Sequence, residues 1–216
     1  MDKTRVEAFS DGVIAVAITL LVIDLHVPDP AGSGSLADRL GDQWPSYVAY
    51  AVSFLTIGVI WINHHAMFRR VIGVDHSILI LNVLLLMCVV VLPFTTSLMA
   101  EYLTAALGQH VAALIYGGSF LLMALLFVIM QRHLMVNRRH LLDPRMTEPI
   151  RRWVLRRNAA GIVPYALATV GGILSQYFTL AVCGLIALFY ALPSTTADAE
   201  GAPTAGTDIA DATGDL

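Results

Sequence analysis

The sequence predicts an all-helical polytopic membrane protein, and its composition carries that prediction. Of its 216 residues, 57% are hydrophobic and only 13% are charged, whereas about a quarter of the residues in soluble domains are charged. The mean hydropathy of +0.72 arises from apolar runs of about 20 residues, each long enough to cross a hydrocarbon layer of ~30 Å as a helix. This balance excludes an ordinary water-soluble enzyme.

Apolar length and helix-breaking residues predict six transmembrane helices in a single unit, residues 1–192. The predicted helices cover residues 4–27, 44–67, 77–101, 111–136, 158–175 and 176–192. Thr4 and Glu7 fit a capping box that starts the first helix. Cys88 and Cys183 fall inside spans, where we expect core packing and no disulfide. Residues 193–216 lack basic residues and apolar periodicity, which predicts a disordered, acidic cytoplasmic tail.

The distribution of basic residues predicts the orientation of these helices. Of the 13 Lys and Arg residues, only Arg39 lies outside the segments before helix 1, after helix 2 and around the connection between helices 4 and 5. Cytoplasmic loops retain Lys and Arg, so six spans with both termini inside satisfy the distribution. No nucleic-acid-binding signature accompanies these residues, and we expect no nucleic-acid partner.

Asp11 lies within the first predicted helix, where a carboxylate costs roughly 2.5–3.5 kcal/mol unless partners offset it. In the predicted topology, polar residues of helices 2 and 3 reach the same depth as Ser10 and Asp11. These residues are Asn63, His64, His65, His76 and Asn82. We therefore expect a polar cluster in which Asp11 accepts from imidazole, amide or hydroxyl donors. The cluster fits a packing network or a proton relay. It fits a metal site poorly, because adjacent histidines project about 100° apart on a helix.

An apolar stripe runs along another side of the same helix. At about 100° per residue, Val16, Leu20 and Ile23 fall within about 60° of one another, and Asp11 points about 140° away from Val16. Such a stripe alone indicates contact with a protein core or with lipid. Thr19, on its flank, offers either an oxygen to a cation or a hydrogen bond to a preceding carbonyl.

Four residues of the first helix carry a more specific signal. Arg5, Phe9, Ser10 and Asp11 form the pattern RxxxFSD, which resembles the signature of the TMEM175 family of potassium-permeable channels. Further residues that resemble the family pattern are Trp61, Asn63, His64, His65, Asn82, Pro93 and Phe94. The resemblance covers about the first hundred residues.

The resemblance implies a homotetramer in a bacterial plasma membrane, with helix 1 of each subunit lining a central pore. It places a hydrophobic constriction at Val16 and further apolar rings at Leu20 and Ile23, with Thr19 as a possible ion contact. Such a constriction gates by excluding water and passes ions that shed part of their hydration shell. The sequence contains no TVGYG filter, so the fold is expected to differ from that of TVGYG-filter potassium channels. The permeant potassium ion is the only expected ligand, with no cofactor and no metal site.

One alternative to the potassium channel remains open from the sequence. A proton-permeable channel or proton-coupled transporter would use Asp11 and the histidines of helix 2. A membrane enzyme finds no support, because no nucleophile, metal or phosphate-binding motif is present.

Arg5 lies near the azimuth of the stripe, and we expect it to contact another subunit or to pair with a carboxylate. On the outer side, acids that would attract cations outnumber Arg39. These acids are Asp29, Asp38, Asp42 and Glu101.

Overall fold

The computed structural model describes residues 2–191, which form a bundle of helices without a β-strand. Residues 193–216, expected from the sequence to form a disordered tail, lie outside the described residues. The helices are α1 Lys3–Leu20, α2 Leu36–Asp42, α3 Trp44–Arg69, α4 His76–Tyr102, α5 Gln109–Arg132, α6 Glu148–Ala160, α7 Ile162–Gly171 and α8 Gln176–Ala191.

Among the described residues, four helical segments are long and apolar enough to cross a membrane, namely Lys3–Asp24, Trp44–Arg69, His76–Tyr102 and Gln109–Asn137. They contain 22, 26, 27 and 29 residues, and a helix rises 1.5 Å per residue. Each therefore spans about 30 Å or more. The first four predicted helices are confirmed as elements. The chain predicted as the fifth helix is divided at Gly161, and α7 and α8 have 10 and 16 residues.

Both ends of the first helix differ from the prediction. The capping box at Thr4 is wrong, because α1 begins at Lys3 and the carboxylate of Asp2 accepts from the Thr4 N–H at 3.0 Å. Thr4 thus lies inside the first turn. The α-helix ends at Leu20, followed by a 3-10 turn over Leu21–Asp24 and then extended backbone. Pro28 follows closely, and a proline disfavours helical backbone at the residue before it.

Helix α4 lies at the centre of the bundle, in contact with α1, α3 and α5. Helices α7 and α8 complete the bundle, and both pack against α5. Gly117 of α5 permits a close approach, because a Cβ atom at this position would lie 3.0 Å from the Cα atom of Thr169 in α7. Cys88 and Cys183 are buried and free, as predicted.

Two connections rich in arginine, the turn between α3 and α4 and the segment after α5, meet at one end of the bundle. The Ile72 N–H donates to the Leu141 carbonyl at 2.8 Å, and the Asp143 N–H donates to the Arg70 carbonyl at 2.9 Å. Asp75 accepts from the guanidinium of Arg138 in the same region. The α3–α4 turn and the segment after α5 are therefore held together on one side. That their arginines share a compartment stays a prediction from the sequence.

Candidate functional site

One face of α1 packs into the bundle, and the predicted stripe lies outside that face. The buried residues of α1 and the turn after it recur at helical spacing and are Val6, Ser10, Ile14, Ala17 and Leu21. Val16, Leu20 and Ile23 are 58%, 38% and 66% exposed. The stripe therefore does not belong to the core of its own subunit, and lipid, a pore or another subunit must cover it.

An open apolar groove runs beside the stripe, between α1 and α4. Its lining residues are Ala8, Phe9, Gly12, Val13, Val16 and Val90. Phe9 of the motif is 58% exposed and extends the stripe toward the start of α1. The apolar surface thus continues from the stripe onto α4.

Thr19 is exposed on the flank of the stripe, and its hydroxyl hydrogen is already engaged. Oγ1 donates to the Val16 carbonyl at 2.9 Å, which is the intrahelical bond considered from the sequence. The same oxygen keeps its lone pairs, and Thr19 is exposed. The local hydrogen bond and an ion contact are therefore compatible.

A buried chain of hydrogen bonds joins α1, α4 and α3 behind the stripe. Ser10 Oγ donates to the Val6 carbonyl at 2.8 Å and accepts from Asn82 Nδ2 at 2.9 Å. Asn82 Oδ1 lies 2.8 Å from His64 Nε2. Since the amide nitrogen of Asn82 donates to Ser10, its oxygen accepts, and Nε2 of His64 carries the proton. All three side chains are at most 2% exposed.

Asp11 lies outside this chain, which corrects the expectation for its partners. Its carboxylate is partly exposed and accepts from Trp61 Nε1 at 2.9 Å. The expected donors were imidazole, amide and hydroxyl groups, but the observed donor is an indole. The reason is helical geometry: Ser10 and Asp11 project about 100° apart, so Ser10 faces α4 while Asp11 faces Trp61 of α3.

The other predicted motif residues lie around this network without joining it. Asn63 Nδ2 donates to the Val59 carbonyl of its own helix at 2.9 Å. The ring of His65 stacks beside Trp61 at a centroid distance of 6.1 Å. Arg5 is exposed and makes no ion pair within residues 2–191. A contact of Arg5 with another subunit, the other alternative, stays a prediction.

A second polar cluster, not found from the sequence, lies between α3, α4 and α5. Ser53 Oγ lies 3.0 Å from the Tyr116 hydroxyl and 2.8 Å from Thr96 Oγ1. Thr95 Oγ1 lies 3.1 Å from Ser119 Oγ. The sequence did contain a signal for this cluster, namely small hydroxyl residues inside apolar helices, because such residues commonly form hydrogen bonds between membrane helices.

Three of the four acids predicted to lie on the outer side, Asp29, Asp38 and Asp42, lie between α1 and α3, whereas Glu101 lies near the end of α4. Ser35 and Asp38 form a capping box for α2, and the hydrogen bonds from the Ser35 hydroxyl and N–H lower the pKa of Asp38. The guanidinium of Arg39 donates to the backbone carbonyl of Asp29, so the single basic residue of this side is tied to the loop. In the part of the chain that the structure describes, no group of three metal-ligating side chains comes together.

The fold and this site define a class of protein: a polytopic helical membrane protein whose first helix buries one side, with Ser10 in a polar network there, and leaves an apolar side uncovered. Comparisons with known proteins give its family. A family model described as endosomal/lysosomal potassium channel TMEM175 matches residues 5–93. The chain is 47% identical over 189 residues to a potassium channel of Streptomyces collinus, covering 88% of this chain and 91% of that protein.

Two further relatives agree with this assignment. The crystal structure of a lysosomal potassium-selective channel TMEM175 homolog from Chamaesiphon minutus superposes with a TM-score of 0.78 at 36% identity, covering 88% of this chain and 96% of that one. The endosomal/lysosomal proton channel TMEM175 of Gallus gallus is 41% identical over 110 residues, 47% of this chain and 22% of that protein. The chain belongs to the TMEM175 family, which is a family of ion channels and not of enzymes.

Proposed function

We propose that this protein is a potassium-selective cation channel whose pore is lined by α1 of each subunit. The observation that carries the proposal is the exposure of Val16, Leu20 and Ile23 on a helix whose other side is buried. The relatives named as potassium channels, which align over most of the chain, support the permeant ion. Potassium is the permeant species, and no cofactor takes part.

The assembly is a homotetramer in a bacterial plasma membrane, in which four copies of α1 surround the axis. Each subunit contributes six membrane segments, with both termini inside. Two of these segments are short: one is formed by the end of α6 together with α7, and the other by α8. The contact between the two basic connections supports this orientation. Repetition of one heterologous contact closes a ring, and the groove between α1 and α4 supplies apolar surface for it.

In this assembly each stripe residue becomes a ring of four side chains. Val16 forms the constriction, and Leu20 and Ile23 form wider apolar rings toward the outer side. A narrow apolar ring excludes water and thereby closes the pore. When it opens, an ion must shed part of its hydration shell, which costs less for potassium than for sodium. The selectivity expected from this mechanism is modest.

The hydrogen-bonded side chains around α1 fix its rotation. Asn82 holds Ser10 from one side, and Trp61 holds Asp11 about 100° further around the helix. With two azimuths fixed, the stripe is directed away from the bundle. The polar motif therefore acts on conduction by orienting the apolar face, while Thr19 offers its free lone pairs to a passing ion.

Charges at the outer entrance add a weaker contribution. Asp29, Asp38, Asp42 and Glu101 outnumber Arg39 on that side, and fourfold repetition multiplies the difference. A negative vestibule concentrates cations and repels anions. The effect falls with rising salt, because the Debye length is about 10 Å at 0.1 M.

The test is ion flux through the purified full chain in liposomes. Vesicles loaded with potassium and diluted into sodium-free buffer should lose potassium passively, and matched sodium-loaded vesicles should lose sodium more slowly. Empty vesicles prepared in parallel give the background leak. Flux of neither cation would refute the channel, and equal rates would refute its selectivity.

Proton permeation is the second candidate, and the chain from Ser10 through Asn82 to His64 favours it. Hydrogen-bonded His and polar side chains inside membranes serve as proton paths, and the Gallus gallus relative is named a proton channel. A pH-sensitive dye inside the same vesicles distinguishes the two. Acidification driven by a potassium gradient supports proton flux, whereas potassium loss that needs a pH gradient indicates coupled transport.

A further inference from the structure

Positive charge is concentrated in the segment that runs from the end of α5 through α6. Residues 132–157 contain eight of the 13 Lys and Arg residues but only two acids. One of these acids, Glu148, pairs with Arg152 one turn further along α6. Arg138 pairs with Asp75, which precedes α4. Within the described chain, the other six arginines of this segment have no carboxylate partner.

Two of these six arginines lie on the outward face of α6, near its end. Arg156 and Arg157 are both exposed. Around the helix they project about 160° and 100° away from Asn158, whose side chain donates to Gln131 of α5. Asn158 therefore faces the bundle, and the two arginines do not. The guanidinium of Arg157 lies 4.7 Å from the ring centroid of Trp153, and a guanidinium stacked in this way keeps N–H groups at its edge for a carboxylate.

The described chain ends beside the same helix. Tyr190 lies one residue before the end of α8, and its hydroxyl rests against Gly161, where a Cβ atom would lie 2.8 Å from that oxygen. Gly161 is the C-cap of α6, and Arg157 precedes it by four residues, a rise of about 6 Å. The chain that follows Ala191 therefore starts close to the two outward arginines.

The sequence beyond this point carries the opposite charge. Residues 193–216 contain five acids and no basic residue. The first two acids, Asp198 and Glu200, come seven and nine residues after Ala191. An extended chain covers at most about 3.3–3.6 Å per residue, so seven residues reach up to about 25 Å. This exceeds twice the diameter of a helix, about 10–12 Å, and both acids can therefore reach the outward face of α6.

We propose that residues 193–216 dock on the outward face of α6 in their own subunit. The two acids closest to α8 pair there with Arg156 and Arg157. A carboxylate suits the fork of an arginine, and a partner tethered this close acts at an effective concentration of the order of millimolar. Anionic lipid headgroups are also attracted to cytoplasmic arginines, but they lack this covalent tether.

Cross-linking within the full chain tests the contact. Ala160→Cys, at an exposed position of α6, and Ala199→Cys, between the two acids, supply the thiols, while native Cys88 and Cys183 are buried. The purified chain is oxidised in a mild detergent, and mass spectrometry of its peptides gives the rate of disulfide formation. We expect this rate to fall at least about threefold between about 50 and about 500 mM NaCl, because salt screens exposed charges.

Two outcomes of this measurement would overturn the proposal. A rate that does not depend on salt would show that the tether alone brings the thiols together. Disulfides formed between chains, seen as a dimer on a denaturing gel, would place the acidic segment on another subunit.

Neutralising the arginines identifies the docking face. R156Q/R157Q should slow cross-linking at low salt about threefold, as expected for the loss of two exposed ion pairs. R139Q/R145Q removes the same charge from the connection before α6 and should slow it much less. An equal loss in both double variants would show attraction to positive charge in general and would overturn the assignment to α6.

Exchanging the charges tests the pairing directly. D198K/E200K should slow cross-linking at least as much as R156Q/R157Q does, because it replaces attraction by repulsion. The fourfold variant D198K/E200K/R156E/R157E should recover the rate of the parent chain. Size-exclusion elution and helical circular dichroism identify any variant that fails to fold. Slow cross-linking in the folded fourfold variant would refute the pairing.

Reconstitution distinguishes the acidic segment from lipid headgroups as the occupant of this face. Cross-linking is measured in nanodiscs of phosphatidylcholine and in nanodiscs in which about a third of the lipid is phosphatidylglycerol. We expect similar rates in the two. Loss of cross-linking in phosphatidylglycerol would assign the arginines to headgroups and overturn the docking. The contact does not involve the α1 stripe, so this result is independent of the ion-flux test.

Discussion

Asn82 of α4 donates from Nδ2 to Oγ of Ser10 in α1 across 2.9 Å, in a place where both side chains are buried. Its oxygen accepts from His64 of α3 at 2.8 Å. One amide therefore links three helices. Its position fixes the rotation of α1, and with it the direction of the exposed apolar stripe.

Replacing this amide should destabilise the subunit. Asn82→Leu leaves Ser10 without its donor and His64 without its acceptor. We expect a loss of about 1–2 kcal/mol, because hydrogen bonds between membrane helices average about 0.6 kcal/mol and reach about 1.7. The measurement is thermal unfolding in detergent, followed by size-exclusion with fluorescence detection. Asn63→Leu is the control, since Asn63 bonds only within α3. An equal shift in both variants would contradict the bridging role.

Substituting the proposed constriction should change ion selectivity. Val16→Asn places four amides around the pore in the tetramer, so water enters more readily. Potassium flux should rise severalfold, and the ratio of potassium to sodium flux should fall toward one. Val22→Asn is a matched control, because Val22 is 51% exposed but lies about a third of a turn away. If only Val22→Asn altered selectivity, the pore would lie on the other side of α1.

The contact between the α3–α4 turn and the segment after α5, which includes the ion pair of Asp75 with Arg138, should weaken in acid. Hydrogen bonds from the Ile78 N–H and then from Arg138 lower the pKa of Asp75. A carboxyl group whose pKa is lower in the folded than in the unfolded state stabilises the fold at pH values above its unfolded pKa, near 4. This stability is lost as the pH falls through the folded pKa. The thermal midpoint should therefore drop below about pH 4. Asp75→Asn keeps an N-cap residue and should remove that part of the drop, while Arg138→Gln should only reduce it. A pH profile in Asp75→Asn identical to that of the wild type would exclude this carboxylate.

The close contact of α5 with α7 should distinguish two neighbouring glycines. Gly117→Ala places a methyl group 3.0 Å from the Cα atom of Thr169, and such overpacking costs about 1–3 kcal/mol. Gly118→Ala meets its nearest atom at 3.9 Å and should be neutral or slightly stabilising, because alanine favours helices. Thermal unfolding of the two variants side by side gives the comparison. Equal stability would show that α7 moves away without cost.

The apolar spans were predictable because a membrane helix must satisfy its backbone internally and present apolar side chains over a fixed length. The ends of α1 were not. Asp2 and Thr4 both suit an N-cap, and only the packed helix shows that Asp2 takes this role. The division of the fifth predicted helix at Gly161 also lay beyond hydropathy, because the basic segment before the break forms a helix, α6, that no apolar run announces.

The polar cluster around Ser10 and Asp11 was also only partly predictable from the sequence. Spacing placed Ser10 and Asp11 at the depth of residues on α3 and α4, but it could not say which donor meets which acceptor. Trp61 was included as a motif residue, although an indole was not among the donors expected for Asp11. The sequence did not predict the cluster of Ser53, Thr96 and Tyr116. Single hydroxyl residues are common in membrane helices, and whether they meet depends on how the helices pack.

By itself, the sequence determined the membrane class, the first four helices, the segregation of basic residues and the stripe of Val16, Leu20 and Ile23. These properties follow from local periodicity and transfer energy along one chain. Only the tertiary structure decided that the stripe stays uncovered and that Ser10 and Asp11 bond to different helices. These depend on how helices rotate against one another, and that rotation is set by side-chain contacts between residues distant in sequence.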